Sequence, residues 1–193
     1  MNVLIVPEDF RKDQYILKPI FERLFRRLGR RTARIRICQD PLLGGVDQAL
    51  RLERLSDIVD RYGSMIDLFI LCVDRDGNVH RRQRLDRIER KISGPMTFFA
   101  ENAWEELETW VLAGIDLPPG WRWSPIRTEV HVKEVYFDRL VELRDLGDFP
   151  GGGRQPLAEE ASRRVSAIRT KCREDFDTLA RRIEGWLAAD RLG

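Results

Sequence analysis

Asp67-Leu-Phe-Ile-Leu-Cys-Val-Asp-Arg-Asp-Gly77 is the stretch whose reading decides the fold. Apolar residues follow one another from Leu68 to Val73 without a polar break, and the run stops in Asp-Arg-Asp-Gly. A short apolar run that does not alternate reads as a strand buried on both faces, the form strands take in parallel sheets covered by helices. The chain opens on a second such run, Val3-Leu-Ile-Val6, and this one ends in Glu8-Asp9. In open α/β sheets, ligands bind outside the carboxyl ends of the strands. Acids gathered at two such ends make a candidate site for a hard cation, because Mg²⁺ binds through one or two carboxylates together with substrate phosphates.

Outward from this strand, the elements alternate. Residues 3–6 are expected as the first strand, and 13–28 as an amphipathic helix closed by Gly29 and interrupted by Pro19. A strand at 33–38, a loop at 41–45 and a helix at 46–62 follow. Residues 67–73 form the central strand, 79–92 a charged helix, 96–100 a short strand and 103–113 another helix. Alternating strands and helices predict a parallel α/β sheet. After Gly114 the character changes. A loop at 116–125, a mixed helical stretch at 130–143, a second loop at 148–156 and two helices at 157–189 predict a helical C-terminal extension. The expected division is an α/β core over 1–115 and a helical extension over 116–193 packed on it. Leu157, Ala161, Val165 and Ile168, then Phe176, Leu179, Ile183 and Trp186, form apolar stripes at helical spacing. They are candidates for docking a partner or a second copy, or for packing on the chain's own core.

Composition excludes several classes. The formal net charge is only +2, so the whole molecule is no polycation, and any nucleic-acid surface must be a local patch. Of the 34 basic residues only Lys12, Lys18, Lys91, Lys133 and Lys171 are lysines. Arginine suits bidentate phosphate contacts, although charged helix faces account for most such residues. Cys38, Cys72 and Cys172 lack the spacing of a zinc site or a disulfide frame and read as small buried hydrophobes. The sequence shows neither a leader-like opening nor an apolar run of membrane-spanning length, so the expected location is the cytoplasm, with no membrane partner.

Asp74 and Asp76 share a face if the strand continues through them, since side chains at i and i+2 point the same way. The competing reading is a turn in which both aspartates cap backbone amides before Gly77. Glu101, Glu105 and Glu108 fall within helical reach of one another if 100–113 is a helix. Pro150-Gly-Gly-Gly-Arg-Gln-Pro156 is a glycine-rich loop running into a helix, a form that can present N–H groups to phosphate, with Arg154 beside it. It lacks the Gly-Lys-Ser/Thr ending of a P-loop. Arg81, Arg84 and Arg87, spaced by three, are read as one phosphate-holding helix face. His80 and His131 have no metal or nucleophile partner at the right spacing, and Trp121-Arg-Trp123 reads as cover for a core edge or as a base-stacking pair.

The opening Glu8-Asp-Phe-Arg-Lys-Asp13-Gln-Tyr-Ile-Leu-Lys-Pro-Ile20 and the motif Leu71-Cys-Val-Asp-Arg-Asp-Gly77 resemble the Toprim domain shared by topoisomerases, bacterial primases, recombination-repair proteins and OLD-family nucleases. Ala100-Glu-Asn-Ala-Trp-Glu-Glu-Leu-Glu-Thr-Trp-Val-Leu-Ala113 is similar to the acidic-aromatic segment of short standalone Toprim-like proteins found near prokaryotic defence genes. The resemblance covers about the first 115 residues. Asp9 stands where the family usually has glycine. The resemblance implies a metal-dependent nuclease in which Glu8 is the general acid/base or metal-linked glutamate and Asp74 and Asp76 are metal ligands. By the same resemblance Glu105 or Glu108 completes a second metal position, and Arg154 contacts the scissile phosphate. The cofactor implied is Mg²⁺ or Mn²⁺, the substrate is nucleic acid with DNA favoured over RNA, and an ATPase partner supplies any energy coupling, because this chain has no ATPase motif. Two other classes stay open: a receiver-like signalling domain, with acids after the first strand and Asp74 after the third, and a catalytically silent Toprim-like binding subunit.

Overall fold

The computed structural model describes residues 1–92, 94 and 96–189. Four strands, β1 (Asn2–Pro7), β2 (Arg34–Ile37), β3 (Leu68–Asp74) and β4 (Thr97–Ala103), form one sheet in the order β2-β1-β3-β4. Every pairing is parallel. β1 and β3 lie in the interior of the sheet, which is why their sequences are unbroken apolar runs. Val3, Ile5, Leu68, Ile70 and Cys72 bury on one face, and Leu4, Val6, Phe69, Leu71 and Val73 on the other.

The second face is covered by α2 (Val46–Ala49), α3 (Leu52–Tyr62) and α4 (Arg81–Ile92). The expected helix over 46–62 is broken at Arg51, which takes an extended conformation and caps α3. The first face is covered by α1 (Phe10–Arg27), α5 (Glu108–Gly114) and the C-terminal helices. α1 starts at Asp9, whose carboxylate accepts the Arg11 N–H at 2.9 Å, and it carries Pro19 without ending there.

Beyond α5 come α6 (Trp123–Thr128), a π-turn at Lys133–Phe137 leading into α7 (Asp138–Leu143), α8 (Arg154–Ser162), α9 (Val165–Lys171) and a second π-turn at Arg173–Asp177 leading into α10 (Thr178–Ala189). Three α-helices and a π-turn therefore occupy 154–189, where a loop end and two helices were expected. Their apolar stripes face inward: Leu157, Ala161, Val165, Ile168, Phe176, Leu179 and Ile183 are all buried in the core shared with β1, β3 and α1. Trp186, the last residue of the second stripe, is partly buried against the same core, so these stripes pack on the chain itself. Phe21, Trp110 and Phe176 meet edge to face, the last two with ring centroids 5.1 Å apart, and join the N-terminal and C-terminal parts in one core. At Gly114 a Cβ would lie 2.7 Å from the Ala161 carbonyl oxygen, so α5 and α8 approach through a glycine.

The main departure from the expected elements is at 100–107. β4 runs on to Ala103 by pairing with β3, Leu71 to Ala100 through Asp74 to Ala103. Glu101 and Asn102 are therefore strand residues, and α5 begins only at Glu108. Ladder hydrogen bonds to an interior strand override the helical spacing of the acids.

Candidate functional site

Pro7 pairs with Cys72, so Glu8 leaves β1 level with the end of β3. Its Oε2 accepts the Asp74 backbone N–H at 3.2 Å. The Asp74 Oδ1 in turn accepts the Leu107 N–H at 2.8 Å, at the entry to α5. By strand alternation Asp74 lies on the face of Ile70 and Cys72, toward α1. In the first turn of α1, Asp13 Oδ2 accepts the Asp9 N–H at 3.0 Å. Glu8, Asp13 and Asp74 are each partly exposed, so the cluster opens to solvent.

These acids repel one another. Burial lifts Glu8 to about 7, against the Asp74 N–H, with Asp76 adding to the rise. Burial lifts Asp13 to about 8, against the Asp9 N–H, with Glu8 and Glu108 contributing. Asp74 is held well above the usual carboxylate range by burial and then by Glu8, Glu108 and Asp13. Asp76 is raised by burial although Arg81 pulls it down. A cluster of this kind holds protons in common near neutral pH, and its members do not titrate independently.

Asp76 is reached differently from the way the i, i+2 rule implies. β3 stops at Asp74, and Asp76 has φ +51°, so it does not continue the strand face. The turn is closed from α5's side: the Glu105 carbonyl accepts the Arg75 and Asp76 N–H groups at 2.8 and 3.1 Å, and its carboxylate accepts the Gly77 N–H at 2.6 Å. Arg75 pairs with the same carboxylate at 2.5 Å. Glu105 is thus a buried keystone of the turn, itself at φ +67°. Asp76, still half exposed, faces Arg81 Nη2 at 3.5 Å.

Arg81 is buried, and its Nε has no hydrogen-bond partner among the described residues. The expected open face of Arg81, Arg84 and Arg87 is therefore not formed. At 100° per residue, a spacing of three drifts around the helix, which puts Arg81 over Leu85 and Ile88 while Arg84 and Arg87 stay exposed.

Glu108 and Arg154 form a buried pair, with Nη2 and Nε of the arginine 2.6 and 3.0 Å from one carboxylate oxygen. Arg154 Nη1 also donates to the Gly151 carbonyl at 2.8 Å. Gly152 and Gly153 spend their N–H groups on the Phe149 carbonyl, and Gln155 on that of Pro150. These N–H groups do not form an open anion cradle; Arg154 sits beside the acidic cluster as a counter-ion to Glu108. Glu101, which the helical reading grouped with Glu105 and Glu108, instead pairs with Arg82 at 2.7 Å on β4. His80 is exposed at the start of α4, and Cys38, Cys72 and Cys172 are buried free thiols.

Asp13 is the site residue the sequence reading passed over, although it belongs to the quoted opening motif. Its place is set by α1, which begins at Asp9 and turns Asp13 back over the capping amide. Asp175 fixes the β4–α5 connection from the C-terminal half. Its buried carboxylate accepts the Trp104 N–H and Trp110 Nε1–H, both at 2.8 Å, and pairs with Arg127 at 2.7 Å.

Among the described residues, no group of three or more His, Cys, Asp or Glu side chains is arranged to hold a metal ion. The donors that do gather are all oxygen, which suits a hard cation. A cation bound through one or two carboxylates and substrate oxygens needs no three-ligand cage. No helix among the described residues is long and apolar enough to cross a membrane. Comparison of the chain with protein-family models, curated proteins and solved structures found no match.

Proposed function

We propose that this chain is a divalent-cation-dependent nuclease of Toprim type, acting on a nucleic acid, with DNA favoured, in a prokaryotic defence or DNA-processing setting beside an ATPase partner. The observation that carries the reading is the meeting of Glu8 and Asp74 at the carboxyl edge of a parallel sheet, within the field of Asp13, Asp76 and Glu108. Like charges gathered at a strand edge are relieved by a cation, and Mg²⁺ or Mn²⁺ there would polarise a phosphoryl oxygen and neutralise charge on the leaving group. Asp74 and Asp76 are the residues assigned to hold it.

Glu8, lifted to about 7, suits proton transfer at neutral pH: ionised it accepts a proton from an attacking water, and protonated it returns one to the leaving oxygen. Asp13, lifted to about 8, shares the cluster's protons near neutral pH and gives one up as a cation binds. Arg81 is buried beside Asp76, its Nη2 3.5 Å from the carboxylate, and offsets part of the acidic charge there. Glu105 is assigned to holding the Asp74–Gly77 turn, and Glu108 to holding Arg154, in place of the second metal position.

The receiver alternative fits less well, since Asp74 spends one carboxylate oxygen on the Leu107 N–H and shares its field with other acids. Cleavage of supercoiled plasmid and single-stranded RNA in Mn²⁺ or Mg²⁺ by the purified chain tests the proposal. Asp74→Asn should abolish cutting. Equal cutting by this variant would assign the activity to another site or a contaminant.

A further inference from the structure

A second charged feature lies at the other end of α1. Arg23, Arg26, Arg27 and Arg31 converge with Arg163, from the end of α8, around a hollow of about 490 Å³. All five side chains are exposed, and none has a carboxylate partner in the ion pairs formed among the described residues. Other arginines do find acids: Arg61, Arg75, Arg127, Arg144, Arg164 and Arg182 each meet one. Helix ends explain only part of the cluster. The carboxyl ends of α1 and α8 each contribute about half a negative charge, roughly −1 in all against five cations.

We propose that this hollow is a binding site for the phosphodiester backbone of a nucleic acid, separate from the acidic centre. The inference rests on the nucleic-acid substrate proposed above and names where that substrate is gripped. Both helices begin beside the acidic centre, with Asp13 in the first turn of α1 and Arg154 the first residue of α8, and both end at the hollow, α1 at Arg27 and α8 at its capping residue Arg163. At 1.5 Å per residue, the fourteen residues from Asp13 to Arg27 set the two sites about 20 Å apart. That distance is roughly six steps of a duplex at 3.4 Å each.

The guanidinium chemistry favours phosphate oxygens, which it meets in bidentate pairs. The large exposed apolar side chains, among them Leu42, Met65, Val79 and Phe149, are not in the lining, so nothing there would insert into a bilayer. Glu22 and Glu159 border the adjoining hollow, which limits the basic surface on that side and favours a discrete anchor over a continuous track.

The test is fluorescence anisotropy of a labelled random-sequence duplex of about 30 base pairs, in EDTA, with KCl titrated from about 50 to 300 mM. Wild type is compared with Arg23→Gln/Arg27→Gln/Arg163→Gln, whose exposed positions leave the melting temperature unchanged. The expected result is at least about tenfold weaker binding and a salt slope shallower by roughly 2 to 3, one phosphate per lost charge. The matching triple lysine variant keeps most of the slope. Unchanged affinity and slope in the glutamine variant would overturn the proposal, as would absence of duplex and RNA binding by wild type at low salt. Equal binding to phosphatidylserine vesicles, lost in the same variant, would overturn it in favour of a lipid surface. The nuclease reading fails separately: a duplex gripped through these arginines but never cut in Mg²⁺ or Mn²⁺ leaves the groove standing. Normal cutting with unchanged binding in the glutamine variant does the opposite.

Discussion

The Glu8 carboxylate accepts the backbone N–H of Asp74 at 3.2 Å, so the last turn of one strand and the end of its neighbour are joined by a group that itself titrates near neutral pH. Protonating Glu8 weakens its grip on that amide but relieves its repulsion with Asp74. The balance between the two makes the edge of the sheet sensitive to pH and to cations.

Stability of the cation-free chain should fall as pH rises from about 5 to about 8. Glu8 and Asp13 are lifted to about 7 and about 8 in the folded chain, against 4.5 and 3.8 as ordinary values. Between those limits the folded chain binds more protons than the unfolded one, so each step up in pH costs stability. Melting temperatures across this range in EDTA check the sign. A Tm that rises steadily to pH 8 would show that these acids ionise normally.

Cation binding should release protons. At pH 6.5 Mn²⁺ meets a cluster in which Glu8, Asp13 and Asp74 hold protons in common, so affinity should rise with pH between about 6 and 8. Calorimetry of Mn²⁺ binding in buffers of different ionisation enthalpy reads the number released, with about one expected. In Asp74→Asn both binding and proton release should drop sharply.

Asp76→Asn and Glu8→Gln should each lower cleavage by about 100-fold or more, the scale on which removal of a general base acts, while circular dichroism stays that of wild type. Both side chains are partly exposed, and each change takes one negative charge from a crowded edge. An active Glu8→Gln enzyme would assign the proton transfer elsewhere.

Asp175→Ala should cost about 3 kcal/mol, because it strands the buried Trp110 indole N–H and the Trp104 amide and leaves Arg127 only its exposed partner Glu174. Urea denaturation measures this. Any activity left should fall further than stability alone explains, since Asp175 holds the Trp104 amide beside the Glu105 turn.

The sheet was legible because β1 and β3 are interior strands whose polar residues, Asn2 and Asp74, stand only at their ends. The opening acids were legible for the same reason, since Glu8 and Asp74 are where those runs stop. The stretch from Ala100 to Leu107 was not. Its acids sit at helical intervals, yet Glu101 and Asn102 are claimed by the ladder with β3, a contact between elements far apart in sequence. Arg81 misled in another way: equal spacing with Arg84 and Arg87 suggested one face, but the helix turns past it and buries it against Asp76. The arginine hollow was only half legible: Arg23, Arg26, Arg27 and Arg31 follow closely in sequence, but nothing linear brings in Arg163. Arg163 meets Arg23 and Arg27 only because α8 lies along α1.

Gly114 decides how much of this chain can be moved as a unit. With no room for a methyl between α5 and the Ala161 backbone, the two halves are packed backbone to backbone and are not merely leaned together. Trp110, Phe21 and Phe176 belong to a single packing cluster that crosses the boundary near residue 115. The strand-edge acids are therefore no portable cassette. A fusion that transplants only the first 115 residues would carry the carboxylates without the wall that sets their spacing, and the shortest transferable piece bearing this edge extends into the final helix.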